Sequence, residues 1–122
     1  MKHYLGISPE GPTVFRHVRK DDTGEPLILL DQDASTGLRV NLADWLEDGE
    51  TISSASVTAE NCTVTLDTAS PNVDLTISAA VSFNWGRAVL LITSSEGDIL
   101  RQVVKIRRTN RYTDEQKYRD YA

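Results

Sequence analysis

The chain has one cysteine, Cys62, in 122 residues, so it holds no internal disulfide framework. No CxxC pattern and no histidine stand beside it, and Thr63 and Val64 follow, so Cys62 reads as a small buried hydrophobe on a strand rather than a reactive thiol. Long apolar runs are missing as well. No segment approaches the roughly 18 consecutive apolar residues of a membrane helix. Met1–Gly6 contains no apolar signal core, which points to a cytoplasmic protein that touches no membrane. The Asn61-Cys62-Thr63 sequon is then idle. Positive charge is also in deficit: 13 Lys and Arg against 18 Asp and Glu leave a net charge of −5. That balance argues against nucleic acid as a partner of the whole surface.

Catalytic and cofactor signatures are lacking too. The chain has no GxSxG, no glycine-rich phosphate loop and no HExxH. Its two histidines, His3 and His17, both fall near the N-terminus. Asp31-Gln32-Asp33-Ala34-Ser35 imitates the start of a calcium loop, but glycine arrives one place late, at Gly37, and no bidentate Glu follows. An Asx-rich turn explains the segment. Glu47, Asp48 and Glu50 stand on a turn beside Gly49 and read as a solvated loop, not as paired acids for hydrolysis. These observations lead to an expectation of no enzyme, no cofactor and no metal.

What the chain does have is a succession of short alternating segments. Leu27-Ile28-Leu29-Leu30 is a compact apolar run, and Leu38, Val40 and Leu42 alternate with Arg39 and Asn41. Ala43 to Leu46 suits one helical turn closed by Gly49, with Trp45 plugging one end of the core. A Ser/Thr-rich strand carries Ile52, Ala55 and Val57. Cys62, Val64 and Leu66 form the next, and Val73, Leu75, Ile77 and Ala79 another. Ala88 to Thr93 is apolar at nearly every position and reads as a central strand buried on both faces. Ser94 to Asp98 is a hairpin loop, after which Leu100, Val104 and Ile106 face inward. About seven strands at this spacing predict an all-β sandwich over residues 26–108. Residues 1–25, broken by Pro9, Gly11 and Pro12, are expected to be an extended N-terminal arm that pairs with the chain's own sheet edge or with a neighbouring subunit. Residues 109–122 are expected to be a charged tail with a short helix, capped by Thr113 and Gln116 and carrying Tyr112, Tyr118 and Tyr121.

From Trp45 to Ala55 the chain reads Trp45, Leu46, Asp48-Gly49-Glu50-Thr51-Ile52, Ser53-Ser54-Ala55. Later it runs Leu90-Leu91-Ile92-Thr93-Ser94-Ser95-Glu96-Gly97, then Val104-Lys105-Ile106-Arg107. In this combination, over roughly residues 26–108, it resembles a family of small phage virion proteins of the Ig-like, fibre–tail adaptor type. The resemblance implies an Ig-like (fibronectin-like) sandwich and a structural role in the virion, assembled in the host cytoplasm. The expected partners are other virion proteins of the tail, fibre, neck or capsid, met in multiple copies. A capsid or neck decoration protein is the first alternative, and a carbohydrate-binding sandwich the alternative of another class. Against the latter, the core offers only Trp45, Phe83 and Trp85 as aromatics. The expected core anchors are Trp45, Leu66, Leu90, Ile92, Val104 and Ile106. The expected interface residues are Phe15, Arg108, Arg111, Tyr112, Tyr118 and Tyr121.

Overall fold

The structure is a computed structural model that describes residues 2–14, 17–31, 34–79 and 84–108. Among them ten strands alternate with turns: β1 (His3–Ser8), β2 (Gly11–Val14), β3 (Arg19–Lys20), β4 (Pro26–Leu30), β5 (Ser35–Asn41), β6 (Ile52–Glu60), β7 (Cys62–Ala69), β8 (Asn72–Ala79), β9 (Trp85–Ser94) and β10 (Ile99–Arg108). They form two mixed five-stranded sheets that pack as a sandwich. The first has the order β2-β1-β5-β8-β7, and the second β3-β4-β10-β9-β6.

Period-2 alternation decides which side of each strand is buried. On β5, Leu38 and Val40 have no exposed surface, and Leu42 just beyond it has none. Val73, Leu75 and Ile77 on β8 are equally enclosed, as are Ile92 on β9 and Val104 on β10. These inner faces meet Leu5, Ile28, Leu90 and Ile106 in one continuous core. The turn after β5 has the expected form. The Leu46 N–H donates to the Leu42 carbonyl at 2.9 Å, and Gly49 takes φ 80°. The β9–β10 hairpin closes through Ser94, whose Oγ accepts from the Asp98 N–H at 3.1 Å, with Gly97 at φ 92°.

Two expectations change. The N-terminal residues pair with the chain's own sheet, one of the two placements expected for them, and are part of the sandwich rather than a separate arm before it. β1 lies between β2 and β5, pairing in parallel with β5 from His3↔Leu38 to Gly6↔Asn41. Leu5 is 0% exposed and Ile7 2%. Pro9, Gly11 and Pro12 form the β1–β2 hairpin instead of breaking regular structure. Pro12 is tolerated because β2 is an edge strand, where a missing N–H costs no ladder bond. Residues 26–108 hold seven strands, β4 to β10, as expected, and β1, β2 and β3 before Pro26 bring the number among the described residues to ten. Finally, β9 is buried on one face only: Leu91 is 43% exposed while Leu90 and Ile92 are enclosed. An apolar run on a strand with only one covered face leaves half of its side chains outside. The short helix expected in residues 109–122 lies outside the described residues.

The burial of β1 is open to a direct test. Leu5→Ala should cost about 2–5 kcal/mol in equilibrium urea unfolding, as for other core Leu truncations. Thr13→Ala, exposed on β2, should stay within about 0.5 kcal/mol. Equal effects would mean that β1 is not part of the core.

Candidate interaction face

The outward face of the second sheet gathers the chain's most conspicuous surface chemistry. Antiparallel pairing of β9 and β10 sets Trp85 opposite Arg107, Arg87 opposite Lys105, Val89 opposite Val103, and Leu91 opposite Arg101. Gly86, Ala88, Leu90 and Ile92 point inward, so their neighbours must point out. Trp85 is 51% exposed, Leu91 43% and Ile99 70%; these are the exposed large hydrophobics among the described residues, and all lie on this one face. Aromatic and Arg side chains in such company are typical of binding hot spots.

At the Trp85 end, a groove of about 380 Å³ is lined by Leu27, Glu60, Trp85, Arg87, Lys105 and Arg107. Two of its cations are already held. The Arg87 guanidinium donates toward Glu60 at 3.1 Å, an exposed pair of little energetic weight. The Lys105 ammonium donates to Asp21 Oδ2. Asp21 Oδ1 also accepts from Thr23 N–H, Thr23 Oγ1 and Glu25 N–H, at 2.9, 2.7 and 2.9 Å. The Lys105 contact, followed by that of Thr23, holds the Asp21 carboxyl well below the usual carboxylate range. Among the described residues no carboxylate pairs with Arg107 or Arg101.

The outward face of the first sheet differs. It carries Thr63, Thr65 and Thr76, with a two-pronged cross-strand bond from Arg39 to Asp74 at 2.8 and 2.9 Å. That contact pulls the Asp74 carboxyl down and the Arg39 guanidinium up. Where β1 begins, His3 is buried, its ring edge-on to His17 with centroids 6.0 Å apart. Burial pushes the His3 imidazole below its usual value, against the opposing effect of its Nδ1–H donating to the Gly37 carbonyl at 3.3 Å. The half-buried Cys62 thiol is pushed up by burial, so little thiolate forms.

The expected core anchors fall in two groups. Leu90, Ile92, Val104 and Ile106 are enclosed, while Trp45 and Leu66 are half-buried and pack against the core from its edges. Of the expected interface residues, Arg108 is exposed at the end of β10, where its Nη1 donates to Asn84 Oδ1 at 3.5 Å. Phe15, Arg111, Tyr112, Tyr118 and Tyr121 lie outside the described residues, as do Asp33 and Phe83. Alternation on β10 already places Arg101, Lys105 and Arg107 outward, whereas Trp85 and Arg87 are surface residues that the sequence reading missed. The clue was phase: Trp85 and Arg87 alternate against Ala88, Leu90 and Ile92, which places them outward if those are core. Among the described residues no cluster of His, Cys, Asp or Glu is grouped to hold a metal ion. No helix among them is long and apolar enough to cross a membrane.

No family model matches this chain, and no curated protein matches it. Among solved structures, one titled "Solution Structure of Amebosin" is 10% identical, covers 88% of this chain and 98% of its own, and aligns with a TM-score of 0.39, a likeness too slight to bear on fold or function.

The Asp21–Lys105 contact predicts an acid-dependent loss of stability. A carboxyl with a lowered pKa stabilises the fold fully above its unfolded value of about 3.9, and that contribution vanishes as pH falls through the lower folded value. In urea unfolding, the wild-type chain should therefore exceed Asp21→Asn by a constant margin above about pH 5, and the margin should shrink in more acid solution. A margin independent of pH down to the acid limit would remove the ion pair from the account.

Proposed function

We propose that this chain is a structural protein of a phage particle, an adaptor that joins tail and fibre or neck components through protein–protein contacts. The observation that carries this reading is the outward face of β9 and β10, where Trp85, Leu91 and Ile99 stand among Arg87, Arg101 and Arg107. Such a mixture of exposed apolar anchors and guanidinium groups suits a protein partner. The sequence resemblance at Trp45–Ala55 and Leu90–Arg107 supports the virion setting. Strand order supports an Ig-like reading of the sandwich. β5-β8-β7 facing β6-β9-β10 follows the order B-E-D and C-F-G of a constant-type Ig domain, with β4 added in parallel beside β10. Arg108 and the Tyr112–Tyr121 segment provide a second contact in this proposal. On the same reading the chain has no catalytic role and needs no cofactor.

One observation favours a second reading. A half-exposed Trp85 beside a groove is also a feature of carbohydrate-binding sandwiches. The two separate experimentally. The adaptor reading expects the purified chain to co-sediment with particles. It also expects Trp85→Ala to reduce incorporation while leaving the free energy of unfolding in urea within about 0.5 kcal/mol of wild type, as for a surface change. Binding on a glycan array with no co-sedimentation would replace it with the carbohydrate reading.

A further inference from the structure

A second cavity, of about 160 Å³, is lined by Lys2, His3, His17, Arg19 and Leu29. Lys2 and His3 stand at the start of β1, in the first sheet, while Arg19 and Leu29 belong to β3 and β4, in the second. His17 lies in the turn that carries the chain from one sheet to the other, where it takes φ 60°. Four of the five lining residues are therefore basic, and no carboxylate is among them. Lys2, His17 and Arg19 are exposed, whereas His3 is 4% exposed. The His3 Nδ1–H donates to the Gly37 carbonyl at 3.3 Å, and Thr36 Oγ1 lies 3.1 Å from the same nitrogen. Nε2 is then the ring nitrogen left for a ligand. The ion pairs among the described residues are Arg39–Asp74, Arg87–Glu60 and Lys105–Asp21, so none of them engages Lys2 or Arg19.

We propose that this cavity binds a small oxyanion of the phosphate or sulfate type, free or as the terminal group of a small ligand. The inference goes beyond the adaptor reading and does not depend on it. Charge selects the sign of the ligand. In a chain of net charge −5, four basic side chains converge here with no acid between them. An anion among them replaces mutual repulsion with attraction. His3 registers that repulsion: burial first, and then the positive Lys2 and His17 groups, hold its imidazole below its usual value, against the Gly37 bond. Size selects a small ligand. The 160 Å³ cavity matches the share of about five waters at about 30 Å³ each and falls below the roughly 300–1,000 Å³ of pockets for drug-sized molecules. Chemistry selects an oxyanion, because Arg19 offers a planar fork of donors and Lys2 an ammonium. The same two charges disfavour a metal cation between the imidazoles, whose centroids are 6.0 Å apart. Neutral His3, with its proton on Nδ1, turns a lone pair toward an anion, and protonation replaces that lone pair with a donor. Around this ring stand Lys2 on its own strand, His17 in the turn and Arg19 on β3, while β5 contributes Thr36 and Gly37 and β4 Leu29, none of them titratable. Binding of an anion therefore takes up a proton and tightens as pH falls.

The test titrates the full chain with sodium sulfate, inorganic phosphate and glycerol phosphate by calorimetry, with chloride holding the ionic strength constant so that general screening cancels. The imidazole signals of His3 and His17 are followed by NMR in parallel. One anion should bind per chain with a Kd of about 1 mM or tighter, and both imidazoles should respond. Sulfate keeps its charge across the range, so its pH profile reads the protein alone. Its affinity should rise several-fold from about pH 8 to about pH 5.5. Lys2→Gln combined with Arg19→Gln should weaken binding at least about tenfold. Both residues are exposed, and circular dichroism checks that the variant is folded. Glycerol phosphate binding tighter than inorganic phosphate assigns the cavity to the terminal group of a small ligand, and the reverse order assigns it to the free anion; either supports the site. Wild type that gives neither heat nor imidazole shifts up to about 20 mM anion overturns the proposal. So does a folded Lys2→Gln, Arg19→Gln variant that binds as wild type does, or a sulfate affinity that is flat with pH. None of these results bears on co-sedimentation with particles, so the adaptor reading stands or falls separately.

Discussion

Two inner sheet faces of aliphatic side chains must leave water together, and the rest of this molecule is arranged around that requirement. Leu38 and Val40 from one strand, and Leu75 and Ile77 from its neighbour, meet Ile28, Leu90, Ile92, Val104 and Ile106 from the opposite sheet. The hydrophobic effect has no direction of its own. The pleat gives it one, because every second residue points to the same side. A slip of one residue in any central strand would turn its aliphatic set outward, so register is tightly held wherever the inner face is apolar. The parallel ladders of β1 on β5 and of β4 on β10 extend the same rule to the N-terminal strands. Leu5 and Ile7 are enclosed for that reason.

The outward faces inherit their composition from this inner constraint. Gly86, Ala88, Leu90 and Ile92 are inward, so Trp85, Arg87 and Leu91 have nowhere to go but solvent or a partner. On the first sheet the leftover positions are mostly Thr and Ser, with one cross-strand Arg39–Asp74 pair. One sandwich thus presents a bland polar face and a face of cations and apolar anchors. Their difference is chemical, not architectural, and it gives the second sheet its candidacy for binding.

Two of the four sheet edges are short, which limits unspecific pairing there. β2 is four residues long and contains Pro12, which offers no N–H to an incoming strand. β3 is only two residues. On the other flank, β6 and β7 are consecutive strands joined at Asn61, which takes φ 61°, so the chain itself crosses from one sheet to the other there. The short β2 and β3 edges favour contact through a face, where side chains decide the partner.

How much of this was legible beforehand follows from the range of the interaction concerned. Alternation in β5, β8 and β10 could be read directly, because period 2 is written into neighbouring residues. The Gly49 and Gly97 turns could be read for the same reason, since a positive φ is a local demand. β1 was hidden because Pro9, Gly11 and Pro12 signal a break and say nothing of which strand lies alongside. The face on which Trp85 stands could not be read, because size and apolarity do not reveal the phase of a strand. Its exposure followed only once Ala88, Leu90 and Ile92 were committed to the interior. The sequence by itself determined the all-β periodicity, the turns and the acidic loops, all of them properties of adjacent residues. Tertiary structure alone decided that β1 joins β5, that Lys105 meets Asp21, and that Trp85 stands opposite Arg107, because strand pairing brings together residues far apart in the chain and burial chooses which of their faces remains outside.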